Sequence, residues 1–270
     1  MAREGEPKRI LVALDTGSLS RIAVEAAARL AIGLHCELEA LFVEDAKLRR
    51  LAELPFAREL GVTSAQARRF DIAELERAIA VQAQQVRRVL QDEARKLPLV
   101  WTLEVVRGDL IAVVLERTTG ADLLVLGMTR RPAFVAAQAA RARTRARAER
   151  RVGRHPIFVL FDGSAAATRA LEAALALEQR ARADVLVAIP APRPEPYATL
   201  RKRADAILDA QGHSASGHLC LADAGVATIG EAARRHRARA VLLPVADLVR
   251  AEREFEVLVD EIACPVVLIR

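Results

Sequence analysis

The chain contains an internal repeat, and this repeat limits the folds that it can adopt. Residues 10–43 match residues 157–190 without a gap at a shift of 147, and Gly108 falls on Gly225 at a shift of 117. The difference between the shifts means that the first copy carries about 30 extra residues, which lie between about residues 45 and 96. A duplication with one insertion explains both shifts, so the sequence predicts two copies of one structural unit.

Each copy alternates short apolar segments with amphipathic helical segments. The apolar segments of the first copy have the length of strands that are covered on both faces: Ile10–Leu14, Leu38–Val43, Thr102–Val106 and Leu123–Leu126. Apolar residues recur at helical spacing in Ser20–Leu34, Asp71–Arg95 and Asp109–Thr119. Alternation of this kind favours parallel strands with right-handed crossovers. The predicted fold class is therefore α/β, with two tandem doubly wound parallel-sheet domains, residues 1–153 and 154–270, related by pseudo-twofold symmetry.

The two halves are not expected to be equivalent. The insert at about residues 45–96 is expected to form a helical hairpin or flap over the strand ends, or else part of the contact between the domains. His155–Phe161 occupies the place of the first half's fifth strand, but the repeat makes it the first strand of the second half. The first half should then have four strands, and the edge at Leu123–Leu126 needs a cover. Helix Pro132–Arg151, another chain and the C-terminal strand Pro265–Arg270 are the three candidates.

Composition disfavours several function classes. The net charge is +6, but residues 131–154 alone hold eight Arg and one acid, so the rest of the chain is nearly neutral. Only 3% of the residues are aromatic, which makes a stacking platform for single-stranded nucleic acid hard to build. Nucleic-acid binding through the Arg-rich helix 141–154 is kept as the lower-ranked alternative, because its arginines share one helical face.

Cysteine usage and hydropathy indicate a cytoplasmic protein with no membrane partner. Cys36, Cys220 and Cys264 are an odd number without a C-x-x-C pair, which is typical of reduced thiols. No segment reaches the roughly 20 apolar residues that a membrane-spanning helix needs. The N-terminal residues lack the apolar region of a signal peptide.

The sequence predicts no catalytic residues and no metal site, and therefore a protein that is not an enzyme. Neither the Walker-type Gly-x4-Gly-Lys motif nor Gly-x-Gly-x-x-Gly occurs, and no serine has a His–Asp companion at the level of the sequence. His213, His218, Cys220 and Asp223 carry donors of the kind that bind metals, but their spacing is loose and Cys220 lies in an apolar segment. We interpret them as a chance cluster.

Small polar turns follow the first strand of each half. Asp15–Ser18 and Asp162–Ser164 lie where an open parallel sheet binds ligands, and glycine, serine and a helix N-terminus suit an anion there. The alternative is that Asp or Ser merely caps the following helix. Gly127 ends the fourth strand of the first half and precedes Arg130 and Arg131, which could neutralise a phosphate. Its counterpart in the second half is Pro244, which has no N–H.

Taken together, these segments resemble the universal stress protein family along the whole chain. The residues that carry the resemblance are Ile-Leu-Val-Ala-Leu-Asp-Thr-Gly-Ser-Leu-Ser at 10–20, Val-Arg-Gly-Asp at 106–109, Gly-Ala-Asp-Leu-Leu-Val-Leu-Gly at 120–127 and Ala-Cys-Pro-Val-Val-Leu-Ile-Arg at 263–270. The resemblance implies a Rossmann-like sandwich with a five-stranded parallel sheet, found as dimers or as fused pairs. Some members bind ATP or ADP, and others do not.

Carried over by position, the resemblance implies that Asp15 and the backbone near Val43 face adenine, with Gly17 and Ser18 in the same turn, and that Gly127 faces ribose or phosphate. The family's binders continue after that glycine with a second Gly and a Gly–Ser pair. Here Arg130 replaces the second Gly, and no Gly–Ser pair follows. We therefore expect a non-catalytic protein of stress adaptation that binds ATP or ADP weakly in the first domain only.

The second domain is expected to be degenerate and to serve as a structural and dimerisation partner. A homo-oligomer or a protein partner is expected, and nucleic acid is disfavoured. The alternative is an interaction scaffold with no nucleotide site at all.

Overall fold

The computed structural model describes residues 9–15, 21–46, 50–51, 54, 56, 58–60, 67–69, 71–96, 98–117, 121–127, 155–181, 184–244, 262 and 264–270. Strands and helices alternate along these residues. The strands are β1 (Arg9–Asp15), β2 (Glu37–Asp45), β3 (Arg58–Leu60), β4 (Ala67–Arg69), β5 (Trp101–Gly108), β6 (Leu123–Leu126), β7 (Ile157–Leu160), β8 (Val185–Pro190), β9 (Gly217–Leu221), β10 (Ala240–Pro244) and β11 (Val266–Ile269). The helices are α1 (Arg21–Leu34), α2 (Ile72–Lys96), α3 (Leu110–Arg117), α4 (Ala165–Ala181), α5 (Pro194–Ala210) and α6 (Val226–Arg235).

Nine strands form one mostly parallel sheet in the order β5–β2–β1–β6–β11–β10–β7–β8–β9. Every neighbouring pair is parallel except β6 and β11, which are antiparallel. Counted from the outer edge of the sheet inward, each half has the same strand order. The first half has β5, β2, β1 and β6, and the second half has β9, β8, β7 and β10. The sequence analysis assigned these strands to two sheets, whereas in the structure the β6–β11 pair joins them into one.

The C-terminal strand covers the edge of the first half that needed a partner. Val266 pairs with Leu126 and Ile269 with Leu123, so β11 spans the whole of β6. All the residues of both strands are buried. Of the three candidates for this cover, the structure therefore selects the segment Pro265–Arg270.

Helices cover both faces of the sheet because the strand side chains alternate between two apolar layers. Ile10 and Val12 point into the layer under α1, α2, α4 and α5, whereas Leu11 points into the layer under α3 and α6. Helices α1 and α4 pack against each other, and a Cβ atom added at Gly33 would lie 3.0 Å from Cβ of Ala176. One core layer therefore runs through both halves without a break.

In the insert of the first half, Ala46, Arg50 and Leu51 are helical, and two short strands and a long helix follow them. Strands β3 and β4 pair antiparallel, and α2 follows them. Helix α2 carries an apolar stripe at helical spacing and buries Val86 and Leu90. The predicted helix at Asp71–Arg95 is confirmed.

The β6–β11 pair is expected to contribute strongly to stability. Val267 of β11 is fully buried, so Val267→Ala should lower the free energy of unfolding by about 2 kcal/mol, measured by urea denaturation. Val100→Ala is the matched control, because Val100 is 66% exposed and its methyl groups are mostly in water already. Equal effects of the two substitutions would contradict the position of β11 at the centre of the sheet.

Candidate functional site

The candidate site lies at the carboxyl edge of the sheet, between β1 and β6. Helix α1, which leads from β1 to β2, covers one face, and α3, which leads from β5 to β6, covers the other. The connections therefore diverge between β1 and β6, and strands that diverge in this way leave a crevice where open α/β sheets bind ligands.

Three of the six predicted site residues come together at this crevice. Asp15 ends β1 and pairs in register with Val43 near the end of β2. Gly127 follows β6 on the other side of β1, and its N–H donates to the carbonyl of Ala13 at 3.0 Å. Val43 is fully buried in the layer under α3, so only its main chain is left for a ligand. The other three predicted residues, Gly17, Ser18 and Arg130, lie outside the described residues.

The structure gives Gly127 a packing role. A Cβ atom at this position would lie 2.7 Å from Cδ2 of Leu14 and 2.8 Å from Cβ of Ala23. The glycine thus allows α1 to pack closely against the end of β6. Since its N–H is already donated to Ala13, Gly127 by itself is weak evidence for a phosphate site.

In the second half, the corresponding turn is a helix cap. The N–H of Ser164 donates to Oδ1 of Asp162 at 2.8 Å, and the N–H of Ala167 donates to Oγ of Ser164 at 3.0 Å. These bonds satisfy main-chain donors at the start of α4, as the capping alternative requires. Helix α5 also lies against this turn, because a Cβ atom at Gly163 would be 2.7 Å from Cδ2 of Leu200. An anion that bound at this turn would have to displace the two capping hydrogen bonds and the side chain of Leu200.

Two prolines distinguish the crevice of the second half from that of the first. Pro244, the counterpart of Gly127, ends β10, and Pro190, the counterpart of Val43, ends β8. Continuing the β7–β8 register, in which Leu160 pairs with Ala188, brings Asp162 level with Pro190. Neither proline has an N–H to donate. Sequence reasoning identified Pro244 but missed Pro190, although the repeat that aligns residue 43 with residue 190 contained the signal.

The donors that resemble metal ligands bind separate partners. Nδ1 of His213 lies 2.9 Å from Glu178, and Nε2 of His218 lies 2.8 Å from Asp205. Asp223 accepts hydrogen bonds from the side chain of Thr228 and the N–H of Gly225, which lower the pKa of this carboxyl group. Within the described part of the chain, no group of three such side chains could hold a metal ion.

The three cysteines differ in their access to solvent. The thiol of Cys36 is buried and donates to the carbonyl of Leu34 at 3.3 Å. Burial raises the pKa of the Cys264 thiol to about 12. Cys220, on β9, is exposed. A nucleophilic role for Cys264 would need a lowered pKa, and the structure gives the opposite.

The comparisons with known proteins agree with this architecture. Residues 6–137 match the sequence model of the universal stress protein family. A universal stress protein from Archaeoglobus fulgidus aligns over 98% of this chain and 96% of its own at 12% identity, with a TM-score of 0.52, which supports a common fold. A second structure, of the universal stress protein from Archaeoglobus fulgidus in complex with dAMP, aligns over 44% of this chain and 100% of its own, with 16% identity and a TM-score of 0.36. No curated protein matches the chain in sequence.

The first half of the chain thus matches the universal stress protein family in sequence, and the likeness to the first of these structures shows a common fold along the whole chain. In the described residues, no helix is long and apolar enough to cross a membrane.

Gly127→Ala tests the packing role of this glycine. The added methyl group would overlap Leu14 and Ala23, so we expect the free energy of unfolding to fall by about 1–3 kcal/mol in urea denaturation. Gly217→Ala is the control, because a Cβ atom there would only make an ordinary contact of 3.4 Å with Leu186. If the two variants are equally stable, α1 does not pack against Gly127 as described.

The thiols should differ in alkylation by iodoacetamide at pH 8, followed by mass spectrometry of the folded protein. Cys220 should react first. A thiol with a pKa of about 12 has a thiolate fraction of about one in ten thousand at pH 8, so Cys264 should stay unmodified. In urea all three should react. Early labelling of Cys264 in the folded protein would contradict the raised pKa of its thiol.

Proposed function

We propose that this chain is a non-catalytic, tandem universal stress protein of the cytoplasm, with one weak adenine-nucleotide site in its first half. It acts in stress adaptation through contacts with other proteins. The second half is a structural and dimerisation partner without a nucleotide site of its own.

One observation carries the nucleotide site. Asp15 lies opposite Val43, and Gly127 lies across β1 from them, at the point where the order of the strands reverses. The resemblance to universal stress proteins implies that residues at these positions face adenine and ribose or phosphate. Weak binding is expected because Arg130 replaces a glycine of the phosphate turn and a side chain there obstructs the close approach of an anion.

The second half lacks the corresponding features. Pro190 and Pro244 stand where the first half has Val43 and Gly127, and Leu200 lies over the turn at Gly163. Its Asp162 and Ser164 already bond to the main chain. These contacts favour a structural role for this half.

A second candidate is an interaction scaffold with no nucleotide site. The packing of Gly127 against Leu14 and Ala23 favours it, because packing alone would explain this glycine. Nucleic-acid binding through residues 141–154 ranks below both candidates, and this segment lies outside the described residues.

Thermal unfolding with AMP, ADP or ATP separates the two candidates. A ligand that binds only the folded protein stabilises it by about 1.4 kcal/mol at ten times its dissociation constant, which raises the melting temperature by a few degrees. We expect such a rise at millimolar adenine nucleotide and none with the matching concentration of inorganic phosphate.

Matched variants locate the site. Asp15→Ala should abolish the ligand-induced shift. Asp162→Ala should lower the melting temperature without ligand, because it removes the bond to Ser164, but should keep the full shift. If no nucleotide changes the melting temperature, the scaffold is the better description. A shift lost only in Asp162→Ala would place binding in the second half and overturn the proposal.

A further inference from the structure

A groove separates α2 from the outer edge of β5, away from the crevice described above. It has a volume of about 420 Å³. Leu103, Val105 and Arg107 form the strand side, and the helix side begins at Glu76 and ends at Arg87. Ala80 and Ala83 lie between these two charges, and their small side chains leave the groove open. Val105 is 46% exposed although it faces a helix.

The backbone of β5 is available at this edge. The carbonyl of Val100 accepts from the N–H of Leu38 at 3.0 Å, so the even-numbered residues of β5 point their polar main-chain groups at β2. The odd-numbered residues Leu103, Val105 and Arg107 therefore point theirs outward. β5 is the last strand of the sheet, and no described strand pairs with this edge. An edge of this kind is a template for another strand.

Charge is unevenly distributed along the groove. Arg107 pairs with Glu44 at 2.6 Å, and Glu76 also raises the pKa of this guanidinium. These three residues form an end with net charge −1. Since α2 returns antiparallel to the strands, Arg87 lies towards the other end of β5. Arg87 has no ion-pair partner in the part of the chain that the structure describes.

We propose that this groove binds an extended segment of another protein, which adds to β5 as a further strand. Glu76 and Arg87 are eleven positions apart on the helix, about 16 Å, which is the length of about five residues of strand. Side chains on one face of a strand alternate, so the segment has a basic residue, an apolar residue and an acidic residue at i, i+2 and i+4. The apolar residue fills the space above Val105, and the acidic one reaches Arg87. Main-chain bonds provide the affinity and the three side chains the specificity.

A second copy of this chain fits the groove less well. Two β5 strands from two copies would pair antiparallel about a twofold axis. They overlap most fully when this axis passes through the middle of the strand, at Glu104 or Val105. The first register places two carboxylates opposite each other. The second places Arg107 of each copy opposite Leu103, towards the end that holds Arg87. Like charges in these positions are unfavourable, so the charges favour a different chain.

Two fluorescein-labelled peptides test the proposal by anisotropy with the full-length chain. The first is Thr-Lys-Thr-Val-Thr-Glu-Thr, and the second has Lys in place of Glu. The wild-type chain should bind the first about threefold more tightly, a preference typical of one exposed ion pair. Arg87→Glu should reverse this preference. Arg88→Glu, a neighbouring exposed arginine outside the groove, has the same net charge and should keep the wild-type preference.

Steric and backbone measurements complete the test. Ala80→Leu fills the groove and should weaken both peptides on the order of tenfold, whereas Ala78→Leu, on the exposed helix surface, should not. The bound peptide should slow amide exchange at Leu103, Val105 and Arg107. Absence of saturable binding up to 1 mM of the full-length chain would overturn the proposal. So would the same ratio of the two peptide affinities in Arg87→Glu and Arg88→Glu. Binding without slower exchange at these three amides would also refute strand addition.

Discussion

The antiparallel pairing of β6 with β11 is the interaction on which the rest of the structure depends. Without β11, the fourth strand of the first half would expose its main chain and two apolar faces at an edge. Main-chain hydrogen bonds continue beyond the paired residues and connect β11, β6 and β1. The N–H of Arg270 donates to the carbonyl of Asp122 at 3.2 Å, and the N–H of Asp122 donates to the carbonyl of Arg9 at 3.1 Å. A single strand thus completes the sheet of one half while it belongs in sequence to the other.

The β6–β11 pair also constrains the crevice of the first half, because β6 forms one side of that crevice. Strand β1 is held between β2 and β6, so Asp15 and Gly127 cannot separate without breaking buried main-chain bonds. In the second half, strand order and the registers of β7 with β8 and with β10 correspond to those of β1 with β2 and with β6, yet the turn at Gly163 is covered by Leu200 and both neighbouring strands end in proline. The two halves therefore share a strand order, whereas the groups at the ends of their strands differ.

Sequence reasoning was most effective where hydrophobic pattern decides the structure. The buried strands and α2 follow directly from the periodicity of their side chains, and the repeat predicts the second set of strands from the first. The sequence could not choose what covers Leu123–Leu126, because strand pairing across such a distance leaves no local signal. It also could not show that Gly127 packs against Leu14 and Ala23, since these contacts depend on how α1 approaches the sheet. The same limit applies to the groove beside β5, which exists only once α2 is in position.

The two edges of the sheet show why the groove lies in the first half. Strand β9 is five residues long and begins with a glycine, and short edge strands offer few main-chain groups to a partner. Strand β5 is eight residues long, is paired with β2 along its whole length and contains no proline. Its helix α2 has 25 residues, against 17 in α5, which packs its Leu200 onto the neighbouring turn. The insertion that distinguishes the first half from the second therefore ends in the helix that forms one wall of the groove, so the half with the crevice between β1 and β6 also presents the longer edge strand.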